Sequence, residues 1–440
     1  MQFLKVKSLF VCVVILSCQF TFSQDSISIG LNEAIQLALQ KNTNIVISNY
    51  QVKKSEFALK EAKANLLPKL FLNASYYRNI ERQVIFLSEG LGVGEKATKL
   101  GSDNDFRNSL NLSFPIYSNY NFVNKKFAKT QFNFQNEVAR GTTHSVINAT
   151  KKAYFNYLIA QEIVKVQSNR LANAQEFLDD INKRLLKGTL TNFDLTSAKV
   201  QVAIAKNNLL EAQSNLLPIV NNLKLVLGLN LNDIVKLIDP LILLENEIIL
   251  KEDTNQSLQK NSTLKQLEIA IEVNENQLQL IKSSNYPIIE AIGNYNYQTQ
   301  ANNFNFSEFN WEHTSLVGLQ IQFSIFNGTV TKKKVEQAEI NKKITEEEKQ
   351  FTAKQFQMQI GELISQLNFE KLKIEVQQEN IKLTSEALRL SKKRYQLGVG
   401  TILEVNDAEL ANTQAYLSWL QAVLNYKSTY YDYQLLIGKD

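Results

Sequence analysis

The sequence predicts a mainly α-helical protein with a small membrane β part, in which one structural unit occurs twice. The stretch Arg394–Asp407 has a weaker copy at Arg184–Ser197. Both copies place a glycine-containing break between two long, glycine-poor segments with heptad-like apolar spacing, as at the tip of a helical hairpin. Each half of the chain also contains two stretches in which apolar and polar residues alternate. These observations predict two long helical hairpins and four β-strands per chain.

The overall composition suits long helices. The 440 residues are 44% hydrophobic and 21% charged, with only 15 Gly and 5 Pro, which is unlike a disordered chain rich in Pro and Gly. The formal net charge is +5, and the basic residues are interspersed with glutamates along the predicted helices. Because they form no basic face, we expect no nucleic-acid partner.

The first 23 residues have the pattern of a secretory signal peptide. Two lysines precede an apolar run that is too short to cross a bilayer as a helix, and small residues follow it. The two cysteines of the chain, Cys12 and Cys18, lie here. Cys18 loosely resembles a lipoprotein cleavage site, but Leu16 is atypical of such sites, so we favour ordinary cleavage near Ser23.

The first half of the chain predicts a helix followed by a β-hairpin. Apolar residues recur at helical spacing from Leu31 to Leu67, and Pro68 ends the helix. Apolar and polar residues then alternate after Pro68 and again from Leu110 to Ile116, on either side of a Gly-rich polar loop. Each stretch has about ten residues, the length that a tilted strand needs to cross a bilayer.

The second half repeats this scheme. A helix ends before Pro287, and two alternating stretches flank a loop that contains Trp311. After each hairpin comes a run without Pro and with a single Gly, Asn121–Lys187 and Thr329–Leu397. A helix of about 65 to 70 residues reaches roughly 100 Å, and its heptad-like spacing is typical of a coiled-coil seam.

One alternating stretch by itself would equally fit a strand half-buried in a soluble sheet. Four such stretches, each with Tyr, Phe or Trp near its ends, favour a membrane sheet with aromatic girdles. Four strands cannot close a barrel, and an open edge in hydrocarbon leaves N–H and C=O groups without partners. We therefore expect several copies of the chain to pool their strands.

From about Ser28 to Lys439 the chain resembles the TolC-like outer-membrane efflux proteins, also called outer membrane factors. The resemblance rests on the opening helix at 31–44, on the strand starts at Pro68 and Pro287, and on Gly-Val-Gly-Thr-Ile-Leu-Glu-Val-Asn-Asp-Ala at 398–408. It implies a homotrimer whose strands form a twelve-stranded β-barrel, continued by an α-helical periplasmic tunnel. The implied location is the outer membrane of a Gram-negative bacterium, with the tunnel in the periplasm.

The resemblance also implies a passive exit duct of a tripartite efflux or type I secretion system. Its partners would be a periplasmic adaptor protein, an inner-membrane transporter and outer-membrane lipid. The alternative is a periplasmic coiled-coil adaptor or structural lipoprotein, which accounts for the helices but not for the four alternating stretches. The sequence contains no catalytic constellation, cofactor motif or metal-ligand cluster, since its only histidines, His144 and His313, are far apart. It does not choose among drugs, metal ions and proteins as the substrate.

These observations divide the chain into eight segments. They are a signal peptide (1–23), an N-terminal helix (24–67), the first β-hairpin (68–117), the first long helical hairpin (118–228), an equatorial belt segment (229–261), a helix (262–286), the second β-hairpin (287–326) and the second long helical hairpin (327–440).

The resemblance places a periplasmic gate on acidic residues just after the tips. Glu404 and Asp407 match those positions in the second repeat and Asp194 in the first, whereas Ser197 stands where the second repeat has Asp407. Glu404 and Asp407 lie three residues apart, on one face of a helix. A threefold axis would turn each acid into a ring that attracts cations. The competing interpretation is that acids in a first turn simply stabilise the helix N-terminus.

The turns at the two tips are the predicted docking sites for the adaptor, again by resemblance. Their competing role is helix capping by glycine. The docking residues are Lys187, Gly188, Thr189 and Leu190 at the first tip, and Leu397, Gly398, Val399, Gly400 and Thr401 at the second.

Overall fold

Helices account for most of the chain. The computed structural model describes residues 27–86, 97–186, 190–240 and 258–439. The predicted signal peptide lies outside these residues, together with both cysteines, residues 187–189 of the first tip and residues 241–257 of the predicted belt. The α-helices of the described ranges are α1 (Leu31–Lys41), α2 (Thr43–Ala64), α3 (Asn119–Leu186), α4 (Asn192–Leu227), α5 (Ser262–Ser283), α6 (Val330–Gln396) and α7 (Ile402–Ile437).

The strands form one larger sheet and two small pairs. The larger sheet is antiparallel with the strand order β2-β5-β7-β8, while β1 pairs with β6 and β3 with β4. The bounds are β1 (Ile27–Ile29), β2 (Lys69–Arg78), β3 (Val84–Phe86), β4 (Ala97–Lys99), β5 (Asn104–Ser118), β6 (Val235–Leu237), β7 (Ile288–Ala301) and β8 (Glu312–Gln322).

The two faces of the four-stranded sheet differ in polarity. On one face Leu72 lies opposite Leu110, which lies opposite Tyr295. On the other face Asn111 lies opposite Asn294, and the Asn294 amide donates to the Asn111 side-chain oxygen at 2.6 Å. The predicted alternation is therefore confirmed as one apolar and one amide-rich face, as in a strand between lipid and a polar lumen. In the single chain β2 and β8 are the open edges.

Proline marks the boundaries of the sheet. Pro68 immediately precedes β2 and Pro287 immediately precedes β7, where a residue without an N–H costs the sheet no hydrogen bond. A third proline, Pro115, lies inside β5, and the pairing with β7 shifts its register between Pro115 and Tyr117. The bulge accommodates the missing donor.

The two long hairpins agree closely in backbone geometry. The helices that precede the tips, α3 and α6, have 68 and 67 residues. The return helices that follow the tips, α4 and α7, have 36 each. The N-caps Thr191 and Thr401 have φ of −101° and −102°. The C-caps Gly228 and Gly438 have φ of 69° and 70°. The predicted duplication of long helical hairpins is confirmed.

The segment 24–67, expected to form one N-terminal helix, contains β1 and two helices. Asn42 separates α1 from α2 in an extended conformation, and its side-chain amide donates to the carbonyl of Val226 at 2.7 Å. The end of α4 packs here so closely that a Cβ on Gly228 would lie 2.3 Å from the Lys41 carbonyl oxygen. The break between the two helices therefore coincides with their contact to the end of α4. Apolar periodicity does not reveal such a contact.

The described part of the predicted belt segment pairs with a strand near the start of the described chain. Strand β6 pairs in parallel with β1, which precedes it by about 200 residues in the chain. Tyr154 of α3 and Leu223 and Leu227 of α4 are buried beneath this pair. This part of the predicted belt segment therefore shares the core of the first helical hairpin.

By internal contacts the chain divides into two units. The first comprises 1–47, 142–261 and 356–440, and it holds the two helix tips. The second comprises 48–141 and 262–355, and it holds the four-stranded sheet. Across the described ranges, none of the helices combines the length and hydropathy needed for a helical membrane span.

Candidate functional site

Four helix ends meet in one small apolar core at the tips. Its buried members, which we call the tip cluster, come from α3, α4, α6 and α7, so both hairpins contribute to it. The two hairpins are therefore joined by burial of apolar surface at the end where the gate is predicted. The buried residues of the tip cluster are Ile181, Ala198, Tyr395, Ile402 and Val405.

Tyr395 is the largest side chain of the tip cluster. Its ring lies 5.3 Å from that of Phe177, between centroids, and 5.5 Å from the guanidinium carbon of Arg184. Burial, and after it the negative charge of Asp194, raises the pKa of the Tyr395 phenol. Within the described chain this hydroxyl has no hydrogen-bond partner. Sequence reasoning missed this residue, although it directly follows Arg394, with which the duplicated stretch begins.

The second tip is a tight glycine turn. The N–H of Gly398 donates to the Tyr395 carbonyl and that of Val399 to the Arg394 carbonyl, both at 3.1 Å, as in a Schellman motif. Gly398 has φ of 75°, a conformation that costs other residues about 1 to 2 kcal/mol. A Cβ on Gly400 would lie 3.0 Å from the Cβ of Arg394. Both glycines are thus needed by the turn itself, as the capping interpretation held.

The turn also presents apolar side chains to solvent. Leu397 and Val399 are 69% and 67% exposed. At the first tip, Leu190 instead packs against the tip cluster, and residues 187–189 lie outside the described chain. Of the predicted docking residues that the structure describes, Leu397 and Val399 are the apolar ones whose exposure capping does not explain.

Asp194 is engaged in helix capping. Its carboxylate accepts from the Thr191 backbone N–H at 3.0 Å and from the Thr191 hydroxyl at 2.7 Å. In return, the Asp194 N–H donates to the Thr191 hydroxyl oxygen at 3.3 Å. This reciprocal arrangement is a capping box. For Asp194 the geometry therefore agrees with the competing interpretation, in which the acid stabilises the start of α4.

The two acids of the second repeat are placed differently. Thr401 caps α7 by accepting from the Glu404 N–H at 3.2 Å, while the Glu404 carboxylate lies 3.6 Å from the Arg394 side chain, with both groups about half exposed. Asp407 is exposed, and its carboxylate makes no hydrogen bond or ion pair within the described chain. Both acids lie on the side of α7 opposite the buried Ile402 and Val405. Of the three predicted gate acids, Asp407 is the one whose carboxylate has no partner within the described chain.

These elements match those of a known family. A family model described as outer membrane efflux protein matches residues 34–229 and 254–439, one match to each repeat. No curated protein matches the chain by sequence.

Several solved structures share the fold. CusC is 18% identical, with a TM-score of 0.74 over 96% of both chains. VceC from Vibrio cholerae is 17% identical, with a TM-score of 0.71 over 93% of this chain and 96% of that one. The CmeC outer membrane channel of Campylobacter jejuni is 18% identical, with a TM-score of 0.73 over 93% of this chain and 85% of that one.

The family match decides between the two functional alternatives, because its members are channels and not periplasmic adaptors or structural lipoproteins. They are trimers that cross the outer membrane, extend into the periplasm and work with an adaptor protein and an inner-membrane transporter. The chain belongs to the outer membrane efflux protein family, and it is the outer-membrane exit duct of a tripartite efflux system.

Proposed function

We propose that Asp407 and Glu404 form the selective constriction of this duct at its periplasmic end, and that the duct conducts substrates without chemical change. The observation that supports this assignment is the unpaired, exposed carboxylate of Asp407, one turn beyond the capped start of α7. In a trimer three such carboxylates surround one axis. Their mutual repulsion favours cation occupancy between them and disfavours the passage of anions.

The two acids contribute unequally in this proposal. Glu404 is partly neutralised by Arg394, and a half-exposed ion pair of this kind is weak and sensitive to salt. Asp407 has no such partner within the described chain, so it carries the larger share of the negative potential. The carboxylate of Asp194 accepts hydrogen bonds from Thr191 in the capping box of the first repeat. Because it is already held there, it contributes less than Asp407 to the gate.

Single-channel recording in planar bilayers tests this assignment. Asp407→Asn should reduce selectivity for K⁺ over Cl⁻ and weaken block by multivalent cations, and it should do so more than Glu404→Gln. The double variant should lose most of the block. Glu409→Gln is the matched control, because it removes the same charge from α7 at a position facing away from the two acids.

The control should keep the selectivity and the block of the unaltered protein. If the double variant also keeps both, the acidic residues do not form the constriction. A loss of equal size in the control would mean that net charge, and not position, governs selectivity.

We further propose that the second tip docks the adaptor through Leu397 and Val399. Their side chains are the exposed apolar groups of the turn, and Gly398, Gly400 and Thr401 hold the backbone that presents them. By sequence alignment of the repeats, residues 187–190 are the equivalent positions of the first repeat. Burial of two exposed aliphatic side chains on binding is favourable by about 1.5 to 3 kcal/mol each when burial is complete.

Cross-linking separates docking from capping. Leu397→Ser and Val399→Ser leave the glycine turn intact, so they should reduce cross-linking of the tip to the adaptor and reduce efflux while trimer yield stays normal. Leu383→Ser is the control, because this residue is also 63% exposed but lies on α6, outside the turn. Normal cross-linking in the Leu397/Val399 double variant would contradict docking through these side chains, and helix capping would then be the only role of the turn.

A further inference from the structure

The loop between β7 and β8 folds onto one face of the sheet. Its rings lie against the ends of β2 and β5: Phe304 is 6.1 Å from Tyr76, Phe306 is 6.1 Å from Phe106, and Phe309 is 5.3 Å from Phe106, measured between ring centroids. Phe306 also lies 5.0 Å from Phe309. These five residues form a continuous patch, which we call the aromatic patch.

The aromatic patch lies on the apolar face of the sheet. Tyr76 lies opposite Phe106 in the register, and Leu72 and Leu110 lie four residues away along the same two strands. Because side chains of like parity in a strand share a face, the patch continues the apolar stripe. The amide-rich face, with Asn111, lies on the other side of the sheet. The loop therefore covers the lipid side and not the lumen side.

Hydrogen bonds hold the loop in this position. The Asn104 side chain, which is fully buried, accepts from the Tyr76 hydroxyl at 2.8 Å and donates to the Asn303 carbonyl at 3.4 Å. The Asp103 N–H donates to the side chain of Asn302 at 3.1 Å. The loop is thus attached to the residues at the start of β5 and is not a free excursion of the chain.

The polarity along β2 changes in the order that a membrane boundary requires. From Leu70 and Leu72 the same face continues through Tyr76 to Arg78. The apolar stripe, the aromatic rings and the cationic side chain follow the same order as the layers of a membrane, which are the hydrocarbon core, the interface and the anionic headgroups. Despite the ring contacts, Phe304 and Phe306 remain 51% and 67% exposed.

We propose that this loop is a lipid anchor, in which Phe304 and Phe306 insert into the interfacial region of the outer leaflet while Arg78 meets its phosphate groups. The occupant is lipid because the patch is continuous with the membrane-facing stripe of the sheet. The anchor holds the extracellular end of the sheet at a fixed depth, whichever substrate passes through the duct.

Accessibility of a spin label tests the proposal. In the full-length trimer, reconstituted in phosphatidylethanolamine–phosphatidylglycerol vesicles, Phe306→Cys is labelled with a nitroxide after both native cysteines have been replaced by serine. Ser307→Cys is the matched control, since it is the next residue of the same short 3-10 helix and its hydroxyl donates to the Asn305 side-chain oxygen, not to a ring of the aromatic patch.

The nitroxide at 306 should be severalfold more accessible to oxygen, relative to a water-soluble nickel chelate, than the nitroxide at 307. Greater accessibility of 306 to the nickel chelate would place the ring in water and overturn the proposal. Protection of 306 from both reagents would also overturn it, because the patch would then be covered by a neighbouring protomer. Heat-modifiable migration of each labelled trimer shows that it is folded.

Discussion

The guanidinium of Arg184 lies over the ring of Tyr395, 5.5 Å from its centroid. Arg184 lies near the end of α3 in the first repeat and Tyr395 near the end of α6 in the second, so this contact joins the two hairpins beside the predicted gate. Arg184 also pairs with Asp180 at 2.9 Å, which orients it along its own helix. The equivalent residue of the second repeat, Arg394, instead pairs with Glu404 across the turn. Equivalent arginines thus make different contacts in the two repeats.

Two substitutions of Tyr395 should affect the stability of the protein differently. Tyr395→Phe removes a buried hydroxyl that has no partner within the described chain, so stability should stay within about 1 kcal/mol of the unaltered protein or rise. Tyr395→Ala leaves a cavity at the centre of the tip cluster and should cost about 3 to 5 kcal/mol. Thermal unfolding in detergent, followed by circular dichroism, measures both. A destabilised Phe variant would show that the hydroxyl has a partner in the trimer.

The two C-cap glycines predict a matched pair of severe defects. A Cβ would lie 2.3 Å from a backbone oxygen at Gly228 and 2.4 Å from one at Gly438, and both residues have φ near 70°. Gly228→Ala and Gly438→Ala should therefore each destabilise the protein by more than about 3 kcal/mol, through steric overlap added to backbone strain. The yield of heat-modifiable trimer should fall in both variants.

At Gly361, in contrast to the two C-cap glycines, substitution by alanine should stabilise the protein. Gly361 lies inside α6, and a Cβ added to it would meet no atom within 4 Å in the described chain beyond its own helix backbone. Gly361→Ala should therefore stabilise the protein by about 0.5 to 1 kcal/mol per chain. A higher melting temperature than that of the unaltered protein is the expected result. A lower one would indicate that a neighbouring chain packs against this position in the trimer.

Tyr154 and Asp239 predict an energetic coupling at the belt. The Tyr154 hydroxyl donates to Asp239 Oδ2 at 2.7 Å, and the same oxygen accepts from the N–H of Leu31 at the start of α1 at 2.8 Å. Asp239→Ala should cost about 1 to 3 kcal/mol, because it leaves the buried hydroxyl without this partner. In a Tyr154→Phe background the same change should cost less, and the difference is the coupling. Equal costs in both backgrounds would mean that the bond contributes nothing.

The Gly398 turn gives a test of backbone strain. Gly398→Ala should cost about 1 kcal/mol or more, whereas Gly398→Asn should cost less because asparagine tolerates a positive φ. A Cβ at this position would have no neighbour within 4 Å among the described residues, so steric overlap does not affect the comparison. Similar melting temperatures for the two variants would contradict the strain argument.

Much of this architecture follows from local pattern. Alternation of period two in β2, β5, β7 and β8, heptad spacing in α3 and α6, and glycines at the ends of helices are signals carried by neighbouring residues, and they were sufficient for the fold class and the duplication. The charge difference between Asp407 and Ser197 is likewise visible when the two repeats are aligned. The site residues themselves stay predictions that the proposed experiments test.

Local sequence is enough to specify the two long helical hairpins, the four strands of the larger sheet and the acids near each tip, because these depend on period, capping and charge within a few residues. It does not show which acid is free, since that depends on where the neighbouring side chains come to lie. Asp194 is held by Thr191 and Glu404 by Arg394, whereas Asp407 has neither kind of partner within the described chain. The break at Asn42, the pairing of β1 with β6 and the position of Tyr395 likewise depend on contacts between residues far apart in the chain, and no local pattern encodes those distances.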